Sequence, residues 1–205
     1  MRIAGVLLAA GRSRPDRSGM GARASSKDEA GRADALQAMA VSGIDPVIVV
    51  VSADDPLEWL PAPASGRAWR AETCFTAHLG QSFSLRCGMN AALPADPDAL
   101  LVAVEGRPGP CVRQIARLVD ALAEAPELDY AASAGDGRLG APALFARSMY
   151  PRLQELEGDD GARELLAAAD VRGVLLEPQM EEWNNLHDSA RDSIAARQDW
   201  PDRRR

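Results

Sequence analysis

The residues best equipped for chemistry sit early in the chain, in a run rich in glycine and arginine. Between Ala10 and Lys27 lie Gly11, Gly19 and Gly21, and five cations, Arg12, Arg14, Arg17, Arg23 and Lys27. Glycine permits positive φ and close backbone approach. Successive N–H groups in such a turn cradle phosphate oxygens, and the cations would neutralise their charge. A solvated surface loop is the alternative reading of the same residues. Lys27 is the single lysine among 23 basic residues, so any reaction that needs a primary amine side chain must use it. Two familiar phosphate loops are absent: no G-x-G-x-x-G follows the first apolar run, and Lys27 stands between Ser26 and Asp28 rather than in a Walker sequence. Other chemistries are poorly supplied. Cys74, Cys87 and Cys111 include no C-x-x-C pair, His78 and His187 are the two histidines, and no G-x-S-x-G elbow occurs.

A phosphate loop needs a strand to deliver it and a helix to receive it. Ile3–Ala9 is a continuous aliphatic run, as in a strand buried on both faces. The next helical pattern is Ala33–Ser42, which leaves Ala10 to about Arg32 as a connection far longer than the usual two to six residues. Pro46–Ser52, Ala99–Glu105, Tyr130–Ala134, Ala141–Ala146 and Val174–Glu177 read as strands, and Trp69–Thr76 as a short strand. Gln81–Leu93, Val112–Ala125, Ser148–Leu156, Gly161–Ala169 and Leu186–Arg197 read as helices, and Pro56–Gly66 as a surface connection. Alternating strands and helices imply βαβ units and a mostly parallel sheet covered on both faces. In such sheets ligands bind beyond the carboxyl ends of the strands, where the glycine- and arginine-rich run begins.

The whole chain sets the bounds. At 205 residues, 46% hydrophobic and 26% charged, it is an ordinary globular composition. We expect one domain over residues 1–197 with a flexible tail at 198–205. A net charge of −7 gives no basic face for nucleic acid. The longest apolar run, Ile3 to Ala10, is far short of a membrane span and unlike a secretory signal. An odd number of cysteines argues against a disulfide framework, which points to the cytoplasm.

Against this frame the run Leu7-Leu8-Ala9-Ala10-Gly11-Arg12-Ser13-Arg14, with Met20-Gly21 and Lys27, resembles the L-A-A-G-x-S-x-R-M-G-x-x-K signature of nucleotidyltransferases. The similarity is to the molybdenum cofactor (molybdopterin) nucleotidyltransferases, above all the cytidylyltransferase branch. Pro15–Gly19 stand as an insertion in the signature. Gly80-Gln81-Ser82-Phe83-Ser84-Leu85-Arg86-Cys87-Gly88 is similar to the family's G-x-S-x-S-L-R-x-G helix start. Gly137–Phe145 is similar to its G-x-x-G-x-P-x-L-F strand, and Gly158–Leu166 to its G-D-x-G-A-R-x-L-L helix. Read without the family, Ser82 and Ser84 suit a helix N-cap equally well, and Asp159 and Asp160 suit a helix N-terminus.

The resemblance implies a Rossmann-like, three-layer α/β nucleotidyltransferase domain. It implies transfer of a nucleotidyl group from CTP or another NTP to molybdopterin, with Mg2+, and a molybdoenzyme or its maturation factor as partner. By it, Leu8, Ala9, Ala10, Gly11, Arg12 and Ser13 hold base and phosphates, with Ser82, Ser84 and Arg86 on the nucleotide side. Arg14 and Lys27 would be the catalytic cations. Glu105, Glu182 and Asn184 would hold the metal. The family ends its third long strand in V-x-L-G-D-x-P, whereas this chain reads Val102-Ala103-Val104-Glu105-Gly106-Arg107-Pro108. Gly106 therefore stands at the aspartate position, and Glu105, one place earlier, points to the opposite face by strand alternation. That departure leaves a second expectation open: a nucleotide- or cofactor-binding relative with impaired catalysis.

Overall fold

The computed structural model describes residues 1–11, 26–61, 69–105, 110–135, 138–158 and 165–177. Along the chain these form Ile3–Leu8 (β1), Ser26–Val41 (α1), Val47–Val51 (β2), Trp69–Thr73 (β3), Gln81–Ala92 (α2), Ala99–Val104 (β4), Val112–Glu124 (α3), Tyr130–Gly135 (β5), Arg138–Ala146 (β6), Tyr150–Gln154 (α4) and Gly173–Leu176 (β7). The strands make one seven-stranded sheet in the order β3-β2-β1-β4-β6-β5-β7. β3, β2, β1 and β4 run parallel, as do β5 and β7, while β6 runs antiparallel to both β4 and β5.

Both faces of the sheet are covered, which is why β1, β2 and β4 are aliphatic throughout rather than alternating. Successive side chains go to opposite layers. Ala4, Val6, Leu8, Ile48, Val50, Leu100 and Val102 pack with Leu85, Met89 and Ala92 of α2 and with Tyr150 and Leu153 of α4. Ile3, Leu7, Val47, Val49, Leu101 and Ala103 pack with Leu36 and Met39 of α1 and with Ile115, Leu118 and Leu122 of α3. The result is the three-layer α/β arrangement expected from the alternation.

β3 ends at Thr73 rather than Thr76, and two elements start earlier than expected. α1 starts at Ser26, seven residues before Ala33, because its first turns carry no large apolar side chain to mark a buried stripe and Gly31 weakens the local helix signal. Lys27 therefore belongs to a helix rather than a loop. α1 ends where expected. Gly43, at φ +80°, lets Ile44 N–H reach back to the Met39 carbonyl, which closes the helix. β6 starts at Arg138, three residues before Ala141, and pairs across to Gly135 in a hairpin with β5. The expected helix at Leu186–Arg197, residues 62–66 of the expected connection and the start of Gly161–Ala169 lie outside the described residues. No helix among the described residues is long and apolar enough to cross a membrane.

Candidate functional site

The topology brings the carboxyl ends of β1, β2 and β4 together on one sheet edge, with β1 at the centre. The pairing continues past the strands: Ala9 N–H donates to the Val50 carbonyl at 2.8 Å, and Glu105 N–H to the Leu8 carbonyl at 2.9 Å. These bonds fix the backbone of Leu8, Ala9 and Ala10, all three buried, before the chain emerges at Gly11. Leu8 and Ala10 face the α2 layer and Ala9 the α1 layer.

α2 connects β3 to β4, two parallel strands, so its N-terminus lies on this same edge. Gly80 precedes it at φ +137°, and no side chain caps the helix. Ser82 and Ser84 are both buried there. The backbone N–H of Ser82 donates to the Gly158 carbonyl, but its Oγ is buried with no hydrogen-bond partner among the described residues. A buried polar atom without a partner is costly and calls for explanation. Arg86, one turn on, is turned aside: its guanidinium stacks on the Phe83 ring at 4.4 Å and donates to the Gln154 carbonyl at 3.5 Å. Cys87, on the same helix, donates weakly to the Thr73 carbonyl. Burial, with the neighbouring Cys74 thiol, pushes its own thiol up to about 11, so it stays neutral at physiological pH.

On the other side of the sheet the edge holds a cluster that sequence reasoning missed. Arg32 of α1 is only 5% exposed. Its Nη1 donates to Asp55 Oδ2 at 3.2 Å, and its Nη2 donates to Glu105 Oε1. The guanidinium lies 5.1 Å from the Trp59 ring centre, and Trp59 Nε1 donates to Asp55 Oδ1 at 3.0 Å. Leu57 N–H donates to the same Asp55 oxygen at 2.8 Å. A signal existed in the sequence: Arg32 lies four residues before Leu36 and seven before Met39, on the inward stripe of α1.

Of the residues singled out in the sequence, the structure brings the Leu8–Gly11 segment, Ser82 and Ser84 to one sheet edge. It places Glu105 there too, on the α1 side, as strand alternation required. The side chain of Lys27 and all of Arg12, Ser13, Arg14, Gly106, Glu182 and Asn184 lie outside what is described. Among the described residues no group of three or more histidine, cysteine, aspartate or glutamate side chains is arranged to hold a metal ion.

The chain has relatives among known proteins. The chain is 32% identical to the purine catabolism protein PucB of Bacillus subtilis (strain 168) over 182 residues, covering 85% of this chain and 86% of that protein. Its fold is similar to that of Rv0371c from Mycobacterium tuberculosis H37Rv, solved as a complex with manganese, with TM-score 0.62, 19% identity, and coverage of 92% of this chain and 100% of that one. It is similar too to the 4-diphosphocytidyl-2C-methyl-D-erythritol synthase of Anaerococcus prevotii, with TM-score 0.62, 16% identity, and coverage of 94% and 96%. Residues 5–173, which run from β1 through every described helix to the start of β7, match the MobA-like NTP transferase domain, and the chain belongs to that family.

Proposed function

We propose that this chain transfers a nucleotidyl group from CTP, or another NTP, to molybdopterin in molybdenum cofactor maturation, in the cytoplasm. In that reaction a phosphate oxygen of the acceptor attacks the α-phosphorus of the triphosphate, and pyrophosphate leaves. Such chemistry depends on positioning and charge neutralisation more than on covalent participation. The observation that carries the reading is the meeting of two features on one sheet edge. The chain leaves β1 through Ala9-Ala10-Gly11, and the uncapped start of α2 holds the buried, unpartnered Ser82 Oγ. Backbone N–H groups at a helix start and a hydroxyl without a partner suit an anionic, hydrogen-bonding ligand. Arg12, Ser13, Arg14 and Lys27 would meet its phosphates, and Ser84 and Arg86 would complete the nucleotide side.

The described residues do not furnish a site for a divalent cation. Glu105 is engaged by Arg32, Gly106 replaces the family aspartate, and Glu182 and Asn184 lie outside the described residues. The same observation favours a second reading, a relative that binds nucleotide without turning it over. Incubation with each labelled NTP and molybdopterin, with and without Mg2+ or Mn2+, separates the two. Pyrophosphate release with a labelled pterin product supports transfer. Binding without release supports the second reading, and no binding of any NTP overturns both.

A further inference from the structure

Arg32, Asp55, Glu105 and Trp59 come from three separate stretches of chain, Asp55 and Trp59 from the same one, and meet near the point where the chain leaves β1. The cluster is enclosed: the side chains of Arg32, Asp55 and Glu105 are 4%, 6% and 11% exposed. Asp55 is fully engaged, by Arg32, by the indole of Trp59 and by the Leu57 N–H. Its role is to hold Arg32, whose ring-facing side is closed by Trp59. Arg32 in turn fixes one oxygen of Glu105. The other oxygen faces the loop: a side-chain carbon built on Gly11 would lie 3.5 Å from Glu105 Oε2, at ordinary van der Waals contact. The carboxylate thus lies beside Gly11, where any side chain at that position would touch it.

A metal ligand would need a different arrangement. A carboxylate in a cation site offers its oxygens to the ion, together with other oxygen donors. Here a buried guanidinium already takes one oxygen, and the side chain projects toward α1, away from the α2 layer where Ser82 lies.

We propose that Glu105 is a positioning residue for the nucleotide loop and not a metal ligand: Arg32, braced by Asp55 and Trp59, presents the Glu105 carboxylate to the backbone at Gly11. This rests on the nucleotide-binding reading of the β1 loop. Positioning needs an acceptor of the right shape at residue 105, whereas metal binding needs its charge. Glutamine keeps the first and loses the second. It also leaves Arg32 and Asp55 as a neutral pair, so the variant should fold.

The test compares the full-length wild type with Glu105→Gln and Glu105→Ala. NTP affinity is read by calorimetry, and Mn2+ affinity by the loss of the free-ion electron resonance signal. We expect Glu105→Gln to stay within about twofold of wild type for both ligands. We expect Glu105→Ala to weaken NTP binding at least tenfold while leaving the Mn2+ midpoint within twofold. A tenfold rise in the Mn2+ midpoint for Glu105→Gln would overturn the proposal, because an amide cannot replace a ligating carboxylate. Normal NTP binding by Glu105→Ala would overturn it as well. A wild type that binds no NTP removes the proposed function and the positioning role together. Failure of the glutamine to rescue, in a wild type that binds NTP, removes the positioning role alone.

Discussion

Arg32 holds two carboxylates with one guanidinium, in a place that excludes water. A buried charge without its partner is far more costly than the pair is favourable. Arg32→Met would leave Asp55 and Glu105 enclosed together with no cation, and we expect it to lower the unfolding free energy by about 3–5 kcal/mol. Arg32→Lys keeps the charge but loses the fork, and we expect a smaller loss. Urea midpoints for the two variants check this, and an Arg32→Met protein as stable as wild type would show the cluster to be solvated. The cluster also marks the limit of what one sequence discloses. The direction of Glu105 was legible, because alternation along β4 sets it. Its partner was not. Arg32 lies 73 residues from Glu105 and 23 from Asp55, and only the sheet order makes them neighbours. An arginine on the inward stripe of a helix reads as an exception until the acids that receive it are known. Gly106 could be read as a departure from the family pattern because that comparison is local. Cys87 offers a second residue-scale check. Burial holds its thiol near 11, above the ordinary 9.0, so alkylation at Cys87 should rise about tenfold per pH unit from roughly pH 8 to 10 without levelling off. Peptide mapping after timed iodoacetamide treatment measures it, and a plateau below pH 9 would contradict the half-buried placement.

At the scale of elements, the helices are legible in proportion to their apolar stripe. α3 carries Ile115, Leu118 and Leu122 at helical spacing, and its observed end lies one residue from expectation. α1 carries its stripe only from Arg32 onward, so its first turns were invisible and Lys27 was read as loop. α2 docks unusually close to the sheet, and Gly88 is the reason. A side-chain carbon there would meet Val6 Cγ1 and would come within 2.8 Å of Val50 Cγ2, both on β-branched residues fixed in the sheet core. Neither can move far, so overpacking must push the helix outward. We expect Gly88→Ala to cost about 1–3 kcal/mol despite the better helix propensity of alanine. Because α2 carries Ser82 and Ser84, the same variant should also weaken NTP binding, which a denaturation curve and a calorimetric titration would read together. α3 offers the opposite case. Its N-cap is Cys111, in extended geometry, accepting from Gln114 N–H through sulfur at 3.4 Å. Oxygen is the better acceptor at that position, so Cys111→Ser should raise stability by about 0.5–1 kcal/mol. An unchanged denaturation midpoint would mean that the sulfur contact is not a cap.

For the whole molecule, charged and buried groups set a window of pH in which the fold is most stable. On the acid side Asp96 is held below the ordinary carboxylate range, first by hydrogen bonding from Arg147, and Asp98 by the Arg2 backbone N–H. Asp170 is held low by Arg152. A carboxylate whose folded pKa is depressed contributes stability above its unfolded value of 3.8, and the contribution is lost as pH falls through the folded value. All three are fully exposed, so solvent and salt screen them and the acid limb should be shallow. The alkaline side differs because its groups are withdrawn from solvent, Tyr150 buried and Cys87 half-buried. Burial raises the Cys87 thiol from 9.0 to about 11 and the Tyr150 hydroxyl from 10.0 to about 12. These groups are neutral when protonated, so the folded state keeps its protons where the unfolded chain has lost them. Stability from Cys87 is complete below about pH 9 and is lost between 9 and 11, and that from Tyr150 between 10 and 12. Neither group contributes to the other's shift, so their losses should add. We expect the urea midpoint to be flat from about pH 6 to 8 and to fall steadily above 9. Cys87→Ser should remove the first part of that fall and leave the part above 10. Equal wild-type midpoints at about pH 8 and 10.5 would refute the assignment. So would a fall that the serine variant shares in full, since the thiol would then be no more enclosed in the folded chain than in the unfolded one.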